Sequence, residues 1–321
     1  MKTINNSEKT INEKISIVVP VFNEKNNITP FLLRVEAVLN KIDVESEIIF
    51  CLDPSSDGTE NIIMDSIKKN KKIKLITFSR RFGQPAATMA GILSCTGSKC
   101  VVIDVDLQDP PEVILDMYSK MSEGYEVVYA KRKSRTGETF SKTIISKFGY
   151  WLINKLSDVN IPESTGDFRI MSRKVIEELR KLNETHGFLR GLVAFVGFNQ
   201  AFVEYDRETR LYDSGKYNRL VGSLKIGLNG LISFSSNPLS IMSISGALIA
   251  TLSFTLGIIY LFQKLLIEDF TPGLSTTVIL ISFFSGIQLL GLGLIGEYIG
   301  RIYDEVKQRP MYIIDKKINF E

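Results

Sequence analysis

The sequence predicts an α/β domain on a mostly parallel sheet, followed by a two-helix transmembrane hairpin. Between residues 15 and 130, short strand-like apolar runs alternate with segments of helical period. The polar residues of chemical interest cluster just after those apolar runs. Near the C-terminus, residues 239–262 and 274–296 carry no charge and are each long enough to cross a bilayer.

The composition narrows the function classes. A chain of 321 residues with a net charge of +3 is only mildly and diffusely basic, which speaks against a nucleic-acid partner. A mean hydropathy of +0.08 is high for a soluble enzyme and comes largely from the last third. Cys51, Cys95 and Cys100 form no CxxC pair and read as small buried hydrophobes. His186 is the only histidine, so acid-base chemistry falls to carboxylates.

Residues 1–14 are polar without an apolar h-region, so a tail that stays in the cytosol is expected. Ile15–Val21 reads as a strand and residues 31–42 as a helix, with Leu32, Val35, Leu39 and Ile42 at helical spacing. Strands are expected at 47–53 and 74–78, each followed by a helix, at 57–69 and 84–94. Such βαβ units are right-handed and bind ligands outside the carboxyl ends of their strands. Neither GxxxxGK[ST] nor GxGxxG follows the first strand, which disfavours P-loop enzymes and standard dinucleotide-binding dehydrogenases.

The fourth strand runs into Asp104-Val105-Asp106-Leu107-Gln108-Asp109-Pro110-Pro111-Glu112. On a regular strand Asp104 and Asp106 would share a face, where one hard divalent ion could bind both; a plain polar turn is the alternative. Asp109 and the two prolines fit a helix start. A fifth strand is expected at 126–130, then an amphipathic helix at 140–156 and a turn into a short strand over 164–172. Residues 218–234 space Leu220, Leu224, Leu228 and Leu231 for a helix lying in the membrane interface, or on a domain surface.

The expected divisions are a tail at 1–14, a catalytic domain at 15–217, an interfacial helix at 218–236, the two spans within 237–298 and a tail at 299–321. Lys and Arg are plentiful on both sides of the hairpin and nearly absent from its loop, so domain and both termini are expected on the cytoplasmic face of the cell membrane. Gly286, Gly291, Gly293 and Gly296 suit close helix packing and homo-oligomerisation.

A metal-binding α/β domain on a membrane hairpin suits a phosphate-rich donor and a lipid acceptor. The 104–112 stretch, Gly166-Asp167-Phe168-Arg169 and the run from Gly296 to Tyr303 resemble the polyprenyl-phosphate glycosyltransferases, inverting family 2 enzymes of GT-A fold. The resemblance spans residues 15 to about 314. It implies transfer of a sugar from a nucleotide-sugar, UDP-glucose or a UDP-N-acetylhexosamine, to a polyprenyl phosphate such as undecaprenyl phosphate. It also implies that Pro20, Asn23 and Glu24 line the nucleotide pocket, that Asp53 contacts the base and that Arg80 reaches phosphate or ribose. Asp104, Asp106 and Gln108 would hold Mg2+ or Mn2+ with the diphosphate, and Asp167 would be the catalytic carboxylate beside Asp106. Arg169, Arg210 and Lys216, with Lys131, Arg132 and Arg135, are the candidates for acceptor and phosphates. A glycan-extending synthase is the rival enzyme, although its Q-x-x-R-W motif is absent; a non-catalytic membrane scaffold is the other rival.

Overall fold

The structure is a computed structural model that describes residues 13–133, 165–182, 184, 189–209, 235–266 and 274–320. Eight strands form its sheet: β1 (Lys14–Val21), β2 (Glu45–Leu52), β3 (Ile73–Phe78), β4 (Lys99–Val102), β5 (Val127–Arg132), β6 (Thr165–Ser172), β7 (Gln200–Tyr205) and β8 (Ile314–Ile318). Their order is β7-β5-β6-β4-β1-β2-β3-β8, with β6 and β8 antiparallel to their neighbours and the rest mutually parallel. The order reverses beside β1, between β2 and β4, which is where an open α/β sheet leaves a crevice for ligands.

Both faces of the sheet are covered, which is why the strands read as continuous apolar runs. On one face Ile15, Ile17, Val19 and Val21 of β1 join a core with α1 (Ile28–Ile42), α2 (Thr59–Lys69) and α4 (Val113–Met121). On the other, Val18 and Cys51 pack with α3 (Gln84–Ser94), α5 (Arg173–Lys181) and α6 (Leu189–Val196). Gly91 sets how closely α3 approaches: a Cβ there would sit 2.3 Å from Val18 Cγ1 and 2.7 Å from Cys51 Sγ. All three cysteines are free and buried, as expected.

At the amino ends of the strands, away from the crevice, Glu47 is almost fully buried. It accepts from Ser16 Oγ at 2.6 Å and from the Thr96 amide at 2.7 Å, and pairs with Lys74 at 2.8 Å. Two cations and these donors replace the water lost on burial.

Three local expectations change. β4 ends at Val102, so Asp104 and Asp106 lie on a turn and not on one strand face. Asp109 does not cap a helix: α4 starts at Val113, after turns from the carbonyls of Pro110 and Pro111, and Asp109 is buried in ion pairs. The 164–172 stretch is a full eight-residue strand in the middle of the sheet, with Arg169 opposite both Val102 and Tyr129.

Two long helices follow, α7 (Asn237–Leu266) and α8 (Leu274–Val306). Both are long and apolar enough to cross a membrane. Large apolar side chains such as Leu248, Phe254 and Leu290 lie exposed along them. Gly291 admits Met242, whose Cε would lie 2.3 Å from a Cβ added there, and Tyr298 Oη donates to the Ser235 carbonyl at 2.7 Å. The expected 299–321 tail continues α8 and then returns to the sheet as β8, beside β3. The 140–156 helix and the 218–234 interfacial helix lie outside the described residues.

Candidate active site

The carboxyl ends of the parallel strands and the start of antiparallel β6 meet at one edge of the sheet. The loop after β1 is tied there to the loop after β2. Asn23, at φ +54°, takes the Ser56 amide on Oδ1 at 3.0 Å, and its own N–H reaches Ser55 Oγ at 3.0 Å. Glu24 donates its N–H to Thr59 Oγ1 at 3.1 Å and accepts from Asn27 Nδ2 at 2.5 Å. Pro20 is buried within β1.

Asp53 is buried at the end of β2, and its two carboxylate oxygens accept the amides of Phe82 at 3.0 Å and Gly83 at 2.8 Å. It therefore shapes the loop after β3. On that loop Arg80 lies exposed with its guanidinium 4.0 Å from the Phe82 ring centroid.

Asp104 is half-buried, and Gln84 Nε2 donates to its Oδ1 at 2.8 Å. Burial, and then the charges of Asp167, Asp106 and Asp109, push its carboxyl up to about 8 against the pull of Arg207. Asp106 is buried and accepts the Gln108 amide at 3.1 Å, so Asp104, Asp106 and Gln108 fit a hard divalent ion chemically. Among the described residues no three Asp, Glu, His or Cys side chains gather to hold a metal unaided. Further ligands must come from substrate or water. Between the two partners, Leu107 sits at φ +58°, a conformation unfavourable for a branched side chain and held here by burial.

Asp109 anchors this loop from beneath. The Tyr205 hydroxyl donates to its Oδ1, with Arg207 Nε at 3.4 Å and Arg132 Nη2 at 3.7 Å. Arg132 Nε also donates to Tyr205 Oη at 3.2 Å. Gly166 leaves the room: a Cβ there would lie 3.2 Å from Arg132 Nη2.

Asp167, the next residue along β6, accepts on Oδ1 from Arg190 Nε at 2.9 Å and Arg169 Nη2 at 3.3 Å. Burial alone would raise its carboxyl, but Arg190, Arg169 and Arg132 hold it below the ordinary range. It stays ionised at neutral pH beside Asp104, which does not ionise readily. The two neighbouring carboxyls are thus held in opposite directions by their surroundings.

A profile of the family described as "Glycosyl transferase family 2" matches residues 16–180. The chain belongs to glycosyltransferase family 2. It is a glycosyltransferase, and its mixed sheet is of GT-A type. The glycosyltransferase YkcC of Bacillus subtilis is 44% identical across 95% of this chain and 94% of its own. The SfII prophage-derived bactoprenol glucosyl transferase of Shigella flexneri is 39% identical across 94% of this chain and 98% of its own. Glucosyl-3-phosphoglycerate synthase from Mycobacterium tuberculosis, solved with Mn2+, UDP and phosphoglyceric acid, aligns at 19% identity over 69% of this chain and 78% of its own, with a TM-score of 0.49. So distant a likeness carries no argument about ligands.

In this family 2 chain the structure brings Asp104, Asp106, Gln108, Asp167 and Arg132 to one edge, and sets Asn23, Glu24, Asp53 and Arg80 on the adjoining loops. Arg169 lies inside the sheet. Its side chain is fully buried, donating to the Asp167 and Gly166 carbonyls at 3.1 and 3.2 Å with its guanidinium 5.1 Å from the Tyr129 ring centroid. It holds Asp167 from within the strand. Lys131 and Arg132 end β5, and Lys131 Nζ lies 3.7 Å from Glu204 Oε1. Arg135, Arg210 and Lys216 lie outside the described residues. Sequence reasoning missed Arg190, Tyr205 and Arg207. A lone charge in Leu189-Arg190-Gly191-Leu192-Val193 was the available signal for Arg190.

Proposed function

We propose that the chain is an inverting transferase moving a sugar from a UDP carrier, glucose or an N-acetylhexosamine, to a polyprenyl phosphate of the undecaprenyl type. The carrying observation is an ionised Asp167, held by Arg190 and Arg169, close enough to Asp104 to raise that carboxyl, in a chain that also carries two long helices with exposed apolar side chains. Near-full-length identity to bactoprenol glucosyl transferases supports glucose and a lipid phosphate ahead of a growing glycan.

Asp104, Asp106 and Gln108 would hold Mg2+ or Mn2+, which when bound supplies positive charge to the diphosphate. Pro20, Asn23 and Glu24 shape the nucleotide pocket, and Asp53 acts there by fixing the loop from which Arg80 approaches ribose or phosphate. A phosphate monoester acceptor is already ionised near neutral pH and has little need of a base. Asp167 therefore serves by placing its negative charge where the sugar becomes positive as its bond to the diphosphate breaks. Lys131, Arg132, Arg135, Arg210 and Lys216 are the cations assigned to the phosphates and the acceptor, with Arg132 also fixing Asp109. Attack from the face opposite the leaving group inverts the anomeric centre.

The apolar surfaces of α7 and α8 suit a bilayer, since 30 and 33 residues each exceed the ~20 that a span requires. Placing the catalytic domain and both termini at the cytoplasmic face puts the site beside cytosolic donor and membrane lipid. Homo-oligomers form through the spans. Transfer of radiolabel from a panel of nucleotide-sugars to undecaprenyl phosphate in detergent, with metal or EDTA, tests the reading. Label must enter lipid with metal in the wild type, and must fail to do so with EDTA or in Asp106→Ala. No label from any donor would reject the lipid acceptor.

A further inference from the structure

The chain beyond the second apolar helix reaches the loop that shapes the donor side of the site. Tyr312 packs edge-on against Phe78, with ring centroids 6.0 Å apart, and the Ile313 carbonyl accepts the Ser79 amide at 3.1 Å. Phe78 and Ser79 stand where β3 gives way to the 79–83 loop, and the β3–β8 register breaks between Thr77 and Phe78. The contacts continue inward. Phe78 meets Phe82 edge-on at 6.2 Å, and the amides of Phe82 and Gly83 are the two that Asp53 accepts. Gln84 then donates to Asp104. One row of contacts thus runs from the residues leaving α8 to the carboxylates at the end of the sheet.

We propose that Tyr312 and Ile313 are positioning residues of the donor site. They hold the 79–83 loop in the shape that Asp53 locks, so nucleotide affinity depends on a segment that touches no nucleotide and is continuous with the membrane helix. The inference rests on this edge being the donor side. The competing role for β8 is to cover the open edge of β3 against pairing with other chains. A cover would act equally along the whole strand. The contacts with the loop are confined to one end, whereas the other end is pinned separately by Asn319 Nδ2 on the carbonyls of Lys71 at 2.7 Å and Ile73 at 2.8 Å.

That division supplies the test. Full-length wild type, Tyr312→Ala, Tyr312→Phe and Asn319→Ala are compared in detergent for UDP affinity by calorimetry with Mn2+, for donor KM and kcat, and for Tm. Tyr312→Ala is expected to weaken UDP and raise donor KM about tenfold, with kcat and lipid KM within about twofold. Tyr312→Phe keeps the ring and matches wild type. Asn319→Ala lowers Tm and leaves UDP affinity alone. If Tyr312→Ala lowers Tm with UDP affinity unmoved, or if Asn319→Ala weakens UDP as much as Tyr312→Ala does, the strand is only a cover and the inference is wrong. Wild type that binds UDP but labels no lipid rejects the acceptor reading and leaves this comparison decisive. Wild type that binds no UDP overturns both.

Discussion

Arg190 Nε lies 2.9 Å from Asp167 Oδ1, joining a helix on one face of the sheet to the first residues of a central antiparallel strand. The same oxygen receives Arg169 from within the strand. Two guanidinium groups on one oxygen fix the carboxylate's charge and its direction together.

Removing Arg190 should therefore cost rate and shift the pH profile. Arg190→Ala is expected to lower kcat about 100-fold, the scale of a lost electrostatic contact in an active site. Asp167 is held below its ordinary value by Arg190 first among the cations, so without it the carboxyl protonates at higher pH. The acid limb of kcat should move upward in pH, and Arg190→Lys should move it part of the way back. An unshifted acid limb would mean that Asp167 does not govern it.

The charge balance around Asp104 predicts metal dependence. EDTA, or Asp106→Ala, should lower transfer by about 1000-fold or more, matching the several kcal/mol that a divalent ion supplies to a departing diphosphate. Addition of Mn2+ or Mg2+ should restore the EDTA-treated wild type and leave Asp106→Ala inactive. Full activity in EDTA would remove the metal from the account.

Arg34 on α1 clamps two loops of the site. It donates to Glu112 at 3.0 and 2.6 Å and to Glu208 at 2.9 and 2.8 Å, while the Glu208 amide reaches the Gln108 carbonyl at 2.9 Å. A double-mutant cycle between Arg34→Ala and Glu208→Ala is expected to show about 1 kcal/mol of coupling in stability, the upper end for a part-exposed network. Coupling within about 0.3 kcal/mol of zero would show that the clamp adds nothing measurable.

Glu47 predicts loss of stability in acid. Its burial alone would raise the carboxyl, but Lys74, Ser16 and the Thr96 amide bring it down from 4.5 to about 2. A depressed folded-state pKa stabilises fully above the unfolded value and fades as pH falls from there through about 2. The contribution is about 3 kcal/mol, so Glu47→Gln should reduce the wild type's acid dependence in that window by about that amount when unfolding is followed by denaturant.

The legible parts of the fold were those that packing dictates. β1, β2 and β3 are buried on both faces, so their apolar runs announce them. β6 opens Thr165-Gly166-Asp167 and reads locally as a turn; it becomes a strand because β4 and β5 flank it, a tertiary effect that overrides local preference. That pairing also sets Arg169 beside Tyr129 and buries it, which no spacing reveals. β8 contains Asp315, Lys316 and Lys317, the charged pattern of an exposed edge, and carries no core signal. Asp104 and Asp106 were legible as carboxylates directly after an apolar run, whereas Asp167, in what reads locally as a turn, was reached only through the family resemblance. Arg190 was hidden by arriving from a helix more than twenty residues away.

The most direct test of the central claim supplies the chain with two lipids that differ only at the head, undecaprenyl phosphate and undecaprenol, and with a UDP-α-linked radiolabelled sugar. The account predicts label in the phosphate lipid alone, with the product β-linked by the anomeric coupling in NMR. Label in undecaprenol, or an α-linked product, would contradict it.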